Sequence, residues 1–191
     1  MTIPLDFREQ IEKSIENNTG VMFEKFFDEE DTPKWEELLS SLHDEAKLEN
    51  TKHFQEHEIP YGNVLLSSNL YLASHIQVSA REKHFPRISK LINIIRESTD
   101  IEMCIIGPRV CIGPHRVNFH IDSWHAFALQ CEGKVKWTLS DTKDGTGSYF
   151  EEFYPNRGDL LFFPQGVWHA IETQDAIRGG LQLSARILPR T

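Results

Sequence analysis

Two stretches decide how this chain folds: FHIDSWHAFALQCEGKVKWTLSD, from Phe119 to Asp141, and NRGDLLFFPQGVWHAIET, from Asn156 to Thr173. Both are short apolar runs broken by Gly, Pro and Asp, the pattern of β-strands joined by tight turns. Side chains alternate faces along a strand, so His120 and Asp122 present an imidazole and a carboxylate on one side. In the second stretch an apolar strand ends at Pro164-Gln165-Gly166, and the next strand opens on His169, which can supply a third ligand. Two histidines and one carboxylate that leave coordination positions open suit non-haem Fe(II) engaged in oxygen chemistry.

Outward from these stretches, strands recur about every eight to twelve residues between Val110 and Arg186. They are punctuated by Gly113-Pro114, Gly133, Asp144-Gly145, Pro155, Gly158, Pro164 and Gly179-Gly180. That spacing argues for a closed or sandwich-like antiparallel structure. Upstream, 101–106 and 109–112 read as two strands separated by a Gly107-Pro108 turn. Ile88, Leu91, Ile92 and Ile95 lie at helical spacing, so a helix is expected over 87–97. Residues 63–78 read as two strands or one strand and a bend, and 51–60 as a loop, part of a lid over the pocket.

Nearer the start, Leu5, Ile11 and Ile15 make residues 5–17 an amphipathic helix closed by Asn17-Asn18-Thr19-Gly20, and 21–27 reads as a strand. Thr32-Pro33 supplies an N-cap residue and a proline at the first helical position. That opens a helix with Trp35, Leu38, Leu39 and Leu42 on one face.

Length and composition suit one domain with a real core: 191 residues, 39% hydrophobic, 26% charged and 12 Phe. No apolar run is long enough to cross a bilayer, and the first residues carry no basic segment followed by an apolar one, so no secretory signal is read. A cytoplasmic protein is expected. The net charge of -9 argues against nucleic acid as a partner, since such binders need Lys and Arg to replace counterions. No basic amphipathic segment suggests a membrane surface. Cys104, Cys111 and Cys131 sit singly in apolar runs and are expected to be reduced, buried thiols. The acidic clusters before residue 60 read as a solvated face.

Gly158, Pro164, Gly166 and His169 fill the pattern Gly-(five residues)-Pro-x-Gly-x-x-His, which resembles the second cupin motif. His120-x-Asp122 followed by Phe127-Ala128-Leu129-Gln130 and Gly133-Lys134-Val135-Lys136-Trp137 resembles the JmjC-type branch of the cupin superfamily, from Gly107 onward. The resemblance implies a mainly β double-stranded β-helix, or jelly-roll barrel, with an N-terminal helical layer. One domain over 1–191 follows, with 1–100 as helical lead-in and outer strands and 101–191 as the metal-binding core. It also implies an Fe(II)- and 2-oxoglutarate-dependent oxygenase, with His120, Asp122 and His169 as iron ligands and catalytic centre. Dioxygen and a small-molecule, amino-acid or peptide substrate complete the expected partners.

In JmjC-type hydroxylases a basic residue two positions after the glycine equivalent to Gly133 binds the far carboxylate of 2-oxoglutarate, and Val135 stands there in this chain. Lys134 and Lys136 flank it and point outward on a regular strand. Arg178, nine residues past His169, is similar to the anchor of prolyl-hydroxylase-like oxygenases, and a guanidinium fork suits a carboxylate. It is the first choice, with Arg186 and Lys136 in reserve. Strand parity with His120 puts Arg116, Asn118, Ala126 and Ala128 inward, the first two as substrate- or carboxylate-binding residues. Trp124 and Trp168 are expected at the walls of the site, Trp124 with a substrate-binding role. His125, of the other parity, is expected beside the site or at the surface. The alternatives are a cupin metalloenzyme that does not use 2-oxoglutarate, which Val135 favours, and a non-catalytic cupin ligand-binding module.

Overall fold

Alternation along the apolar strands requires two covered faces, and the chain provides both. The computed structural model describes residues 4–38, 64–66, 69–73, 76–77, 93, 101–112, 114–173, 175 and 177–187. Helix α1 (Phe7–Asn17) is followed by β1 (Val21–Phe23), β2 (Val64–Leu66), β3 (Asn69–Ala73), β4 (Ile76–Gln77) and β5 (Ile101–Ile112). Then come β6 (His115–His120), β7 (His125–Glu132), β8 (Val135–Ser140), β9 (Phe150–Phe153), β10 (Leu160–Phe163), β11 (Trp168–Thr173) and β12 (Ile177–Ile187). The larger sheet has the order β1-β10-β7-β12-β5-β3-β2, with β4 also on β5, and the smaller one has the order β6-β11-β8-β9. Every pairing is antiparallel. Neighbours such as β7 and β12 are far apart in sequence, as the crossovers of a jelly roll require. The expected fold class is the one observed.

The parity of β7 assigns its residues to two cores. Ala126 and Ala128 face the smaller sheet and pack with Val135, Trp137, Leu139, Leu161, Phe163 and Ile171. Phe127, Leu129 and Cys131 face the other way, against Phe7, Ile11, Phe23, Phe26 and Leu38 of the N-terminal layer. Burial there pushes the Cys131 thiol up to about 12, so it stays protonated.

That layer is tied down by polar contacts at the start of β10. The Lys25 and Asn156 amides donate to the Asp159 carboxylate, each at 2.7 Å. Phe27 N–H donates to the Gly158 carbonyl at 2.9 Å. Arg157 reaches the Thr32 carbonyl at 2.8 Å and also those of Pro33 and Cys131. Gly158, at φ +88°, lies so close to Phe27 that a Cβ would meet its carbonyl oxygen at 2.3 Å.

Several boundaries differ from expectation. α1 starts at Phe7, which takes the buried place expected of Leu5; Leu5 is fully exposed. β1 stops at Phe23 because Lys25 turns the chain at φ +49°, and Phe26 and Phe27 then enter the core outside any strand. The next helix begins at Trp35 rather than at Pro33: Leu38 N–H bonds the Lys34 carbonyl, and the Glu37 carboxylate reaches back to Lys34 N–H at 2.7 Å, one half of a capping box. Gly107-Pro108 makes no turn. β5 runs straight through it, opposite Gln182 and Leu181. On its other side β5 is paired at 105–106 by β4 and at 109–112 by β3, so Pro108 falls in the gap between them, where an interrupted ladder tolerates proline. The described residues within 63–78 form three short strands. The expected loop over 51–60 and helix over 87–97 lie outside the described residues, apart from residue 93.

Candidate metal centre

β6 and β11 run side by side with His120 directly opposite His169, and cross-strand partners share a face. Asp122 follows in the link between β6 and β7. One donor atom from each of the three residues can be chosen so that all lie within 4.8 Å of one another. An Asp122 oxygen is 3.9 Å from His120 Nε2 and the other is 3.8 Å from His169 Nε2, both too long for hydrogen bonds.

The backbone fixes how the rings present themselves. His120 Nδ1 lies 2.9 Å from the Asn118 carbonyl, and His169 Nδ1 lies 3.1 Å from the Val167 carbonyl. A carbonyl only accepts, so each Nδ1 carries the proton and each Nε2 turns a lone pair toward Asp122. His169 is 1% exposed and sits against Phe163 and Trp137 at centroid distances of 4.5 and 6.1 Å. That burial, followed by the neighbouring His120, lowers its pKa to about 4 and keeps the ring neutral. The His120 side chain is 42% exposed, so the centre is closed on the His169 side and open on the His120 side. Two neutral imidazoles and a carboxylate with open positions are a donor set that fits a divalent first-row metal.

Inward from the metal centre, the space between the sheets is lined by small residues at its middle and by a cation at depth. Ala128 stands opposite Gln182, and Gln130 opposite Gly180. A Cβ at Gly180 would lie 3.1 Å from the Leu129 carbonyl oxygen and 3.5 Å from an Arg178 guanidinium nitrogen. Arg178 is 3% exposed, and its guanidinium carbon lies 5.6 Å from the Trp137 ring centre. Trp137 thus lies near both His169 and Arg178.

The other expected site residues are dispersed. Arg116 and Asn118 do not face inward. Ile171 is opposite Val117 while His169 is opposite His120, so Asn118 and Phe119 together stand against Ala170 in a bulge. The extra residue reverses parity: Val117 packs inward, Arg116 lies opposite Glu172 on the outer face, and Asn118 is exposed. Lys136 is on the outer face too, bridging Glu152 at 3.3 Å and Glu172 at 3.4 Å, contacts that raise its pKa. It is therefore not a cosubstrate anchor. Val135, 1% exposed, faces the interior. Arg186 is opposite Glu102 in the ladder, and its side chain is outside the described residues. Trp124 is half-buried in the β6–β7 link, and Trp168, also half-buried, opens β11 opposite Ser140. His125 stays out of the trio and accepts a hydrogen bond from Gln165 N–H at 3.1 Å, steadying the turn before His169.

Gln182 was not foreseen. Its side-chain amide donates to Asp122 at 3.0 Å. The sign available in the sequence was parity: Gln182 lies four residues past Arg178 on one strand, hence on the same face.

Residues 94–188 match the family model described as the JmjC domain. This segment is a JmjC domain. A stretch of 77 aligned positions is 30% identical to Ribosomal oxygenase 2 of Rattus norvegicus, covering 34% of this chain and 17% of that protein. Among solved structures, YcfD, a ribosomal oxygenase from Escherichia coli in complex with cobalt and succinic acid, superposes with a TM-score of 0.64 at 15% identity, covering 100% of this chain and 53% of that one. A Pseudomonas putida prolyl-4-hydroxylase gives 0.52 at 12% identity, over 95% of this chain and 100% of that one. At these identities the structural likeness concerns the fold, and the chain spans about half the length of the YcfD structure. The JmjC match contains His120, Asp122, His169 and Arg178.

Proposed function

We propose that this JmjC domain is an Fe(II)- and 2-oxoglutarate-dependent oxygenase that oxidises a C–H bond of an amino-acid side chain in a peptide or protein. The observation that carries the reading is the convergence of His120 Nε2, His169 Nε2 and the Asp122 carboxylate, with both Nδ1 atoms committed to backbone carbonyls. His120, Asp122 and His169 would hold the metal. Bound together there, Fe(II) and 2-oxoglutarate supply the oxidising chemistry, in which dioxygen is consumed and succinate and carbon dioxide are released.

The chain's own residues orient and shelter that chemistry. Arg178 binds the far carboxylate of 2-oxoglutarate with a planar pair of N–H donors, and its contact with Trp137 restricts the fork before the ligand arrives. Between Arg178 and the metal centre the facing positions are small, Ala128 beside Gln182 and Gly180 beside Gln130, which suits a narrow dicarboxylate. Phe163 and Trp137 exclude water behind His169. Substrate enters beside the exposed edge of His120, where Ile121, half exposed, and Trp124 offer apolar surface. A polypeptide is preferred to a free metabolite because the relative matched in sequence is named for ribosomal oxygenation.

The test is to incubate the Fe(II)-loaded protein with 2-oxoglutarate and a peptide library drawn from ribosomal proteins, measuring succinate and a mass gain of one oxygen atom. Succinate formed in step with a modified peptide is expected. One observation favours a second reading, a cupin metalloenzyme that does without 2-oxoglutarate: Val135 is apolar and buried where JmjC-type hydroxylases carry their basic anchor. A metal-loaded protein whose melting temperature ignores 2-oxoglutarate would select that reading.

A further inference from the structure

Asp122 differs from the two histidines in what holds it. His120 and His169 belong to paired strands and are oriented by carbonyls two residues back, whereas Asp122 lies in the link after β6 with no ladder partner. Its carboxylate is 27% exposed and can rotate about two bonds. Among the described residues, the hydrogen bond given to it is that from Gln182, Nε2 to Oδ2 at 3.0 Å. Gln182 reaches it from β12, in the sheet opposite β6, with the small Ala128 as its cross-strand neighbour.

We propose that Gln182 is a positioning residue that holds one oxygen of Asp122 and leaves the other to ligate the metal. The inference rests on the metal centre proposed above and adds a residue that neither the sequence pattern nor the family match assigns. The chemistry of the donor supports it. A neutral amide orients a carboxylate without cancelling its charge, while a lysine or arginine here would form an ion pair and compete with a divalent cation. The geometry also couples the metal centre to Arg178, because one strand carries Gln182 at the metal and Arg178 at depth.

The experiment titrates Mn(II) into wild-type protein, Gln182→Leu and Gln182→Ala, followed by the loss of free Mn(II) in electron paramagnetic resonance. Apo melting temperatures and the visible spectra of the Co(II)-loaded proteins are recorded alongside. Groups that orient a metal ligand are worth about 10- to 100-fold in metal affinity. Both variants are therefore expected to bind Mn(II) more weakly by about that factor, to melt within a few degrees of wild type without metal, and to show a shifted Co(II) spectrum. Two variants are used because leucine keeps the bulk of the side chain and alanine removes it. Wild-type affinity and an unchanged Co(II) spectrum in either folded variant would overturn the role of Gln182 and leave the metal centre standing. Failure of the wild-type protein to bind Mn(II) would overturn both.

Discussion

At the scale of single residues, function depends on where each side chain aims its donors and acceptors. The two site histidines spend Nδ1 on the backbone and keep Nε2, and Arg178 lies buried over Trp137, inward of the metal centre. If Arg178 anchors the cosubstrate, Arg178→Gln loses a charge-assisted pair worth about 2 to 3 kcal/mol, or on the order of 30- to 160-fold in 2-oxoglutarate affinity. Isothermal titration of the Mn(II)-loaded variant checks this, and the affinity for Mn(II) itself should not change. Lys136→Ala serves as the contrast. Its partners Glu152 and Glu172 are on the outer face, so 2-oxoglutarate affinity is expected to stay at the wild-type value and stability within about 0.5 kcal/mol. Cys131 gives a pH prediction. Its folded pKa, raised by burial to about 12, lies above the unfolded value, so its contribution to stability is complete below about pH 9 and falls as pH rises toward 12. Peptide-resolved alkylation at pH 8.5 should therefore leave Cys131 unlabelled until denaturant unfolds the chain.

Between residues and the whole stand the strands and links, and here a one-residue irregularity changes what the site contains. The bulge at Asn118 and Phe119 sends Arg116 outward and brings Val117 in, against strict alternation. A bulge is set by how β6 must meet β11 so that His120 and His169 face each other, and no residue type within 115–120 announces it. At the other end of the barrel the link before β10 depends on Gly158, whose left-handed backbone and contact with the Phe27 carbonyl exclude a side chain. Gly158→Ala is expected to destabilise the protein by at least about 2 kcal/mol, from backbone strain and displacement of residues 25–27. Urea unfolding checks the loss, and a midpoint equal to wild type would show that the layer can shift without cost.

For the molecule as a whole, the described strands β10, β7 and β12 of the larger sheet carry residues of two cores, one with the N-terminal layer and one, through β7 and β10, in the barrel interior. The site therefore stands on strands that the second core stiffens, and ligand binding should register as global stability. Mn(II) and 2-oxoglutarate, each at about 100 times its dissociation constant, are expected to add about 2.7 kcal/mol apiece. Differential scanning calorimetry should show the melting temperature rising in two steps, with His169→Ala abolishing both. Much of this was legible from one strand at a time. The period-2 alternation of 125–132 and the punctuation at Gly158, Pro164 and Gly166 read correctly because alternation and turn preference act between near neighbours, whereas β6 ends at His120, so the alternation expected to carry on to Asp122 does not place it. The outward direction of Lys136 followed from the rule of alternation. Other features depend on distant pairings. The passage of β5 through Gly107-Pro108 depends on where β3 and β4 stop, the reversal at Arg116 on the partner strand, and the contact of Gln182 with Asp122 on how the larger sheet meets the link after β6. Motif spacing and turn chemistry were enough to single out His120, Asp122 and His169, but register is settled only when strands meet, so only the tertiary structure could decide which side chains share the space around them.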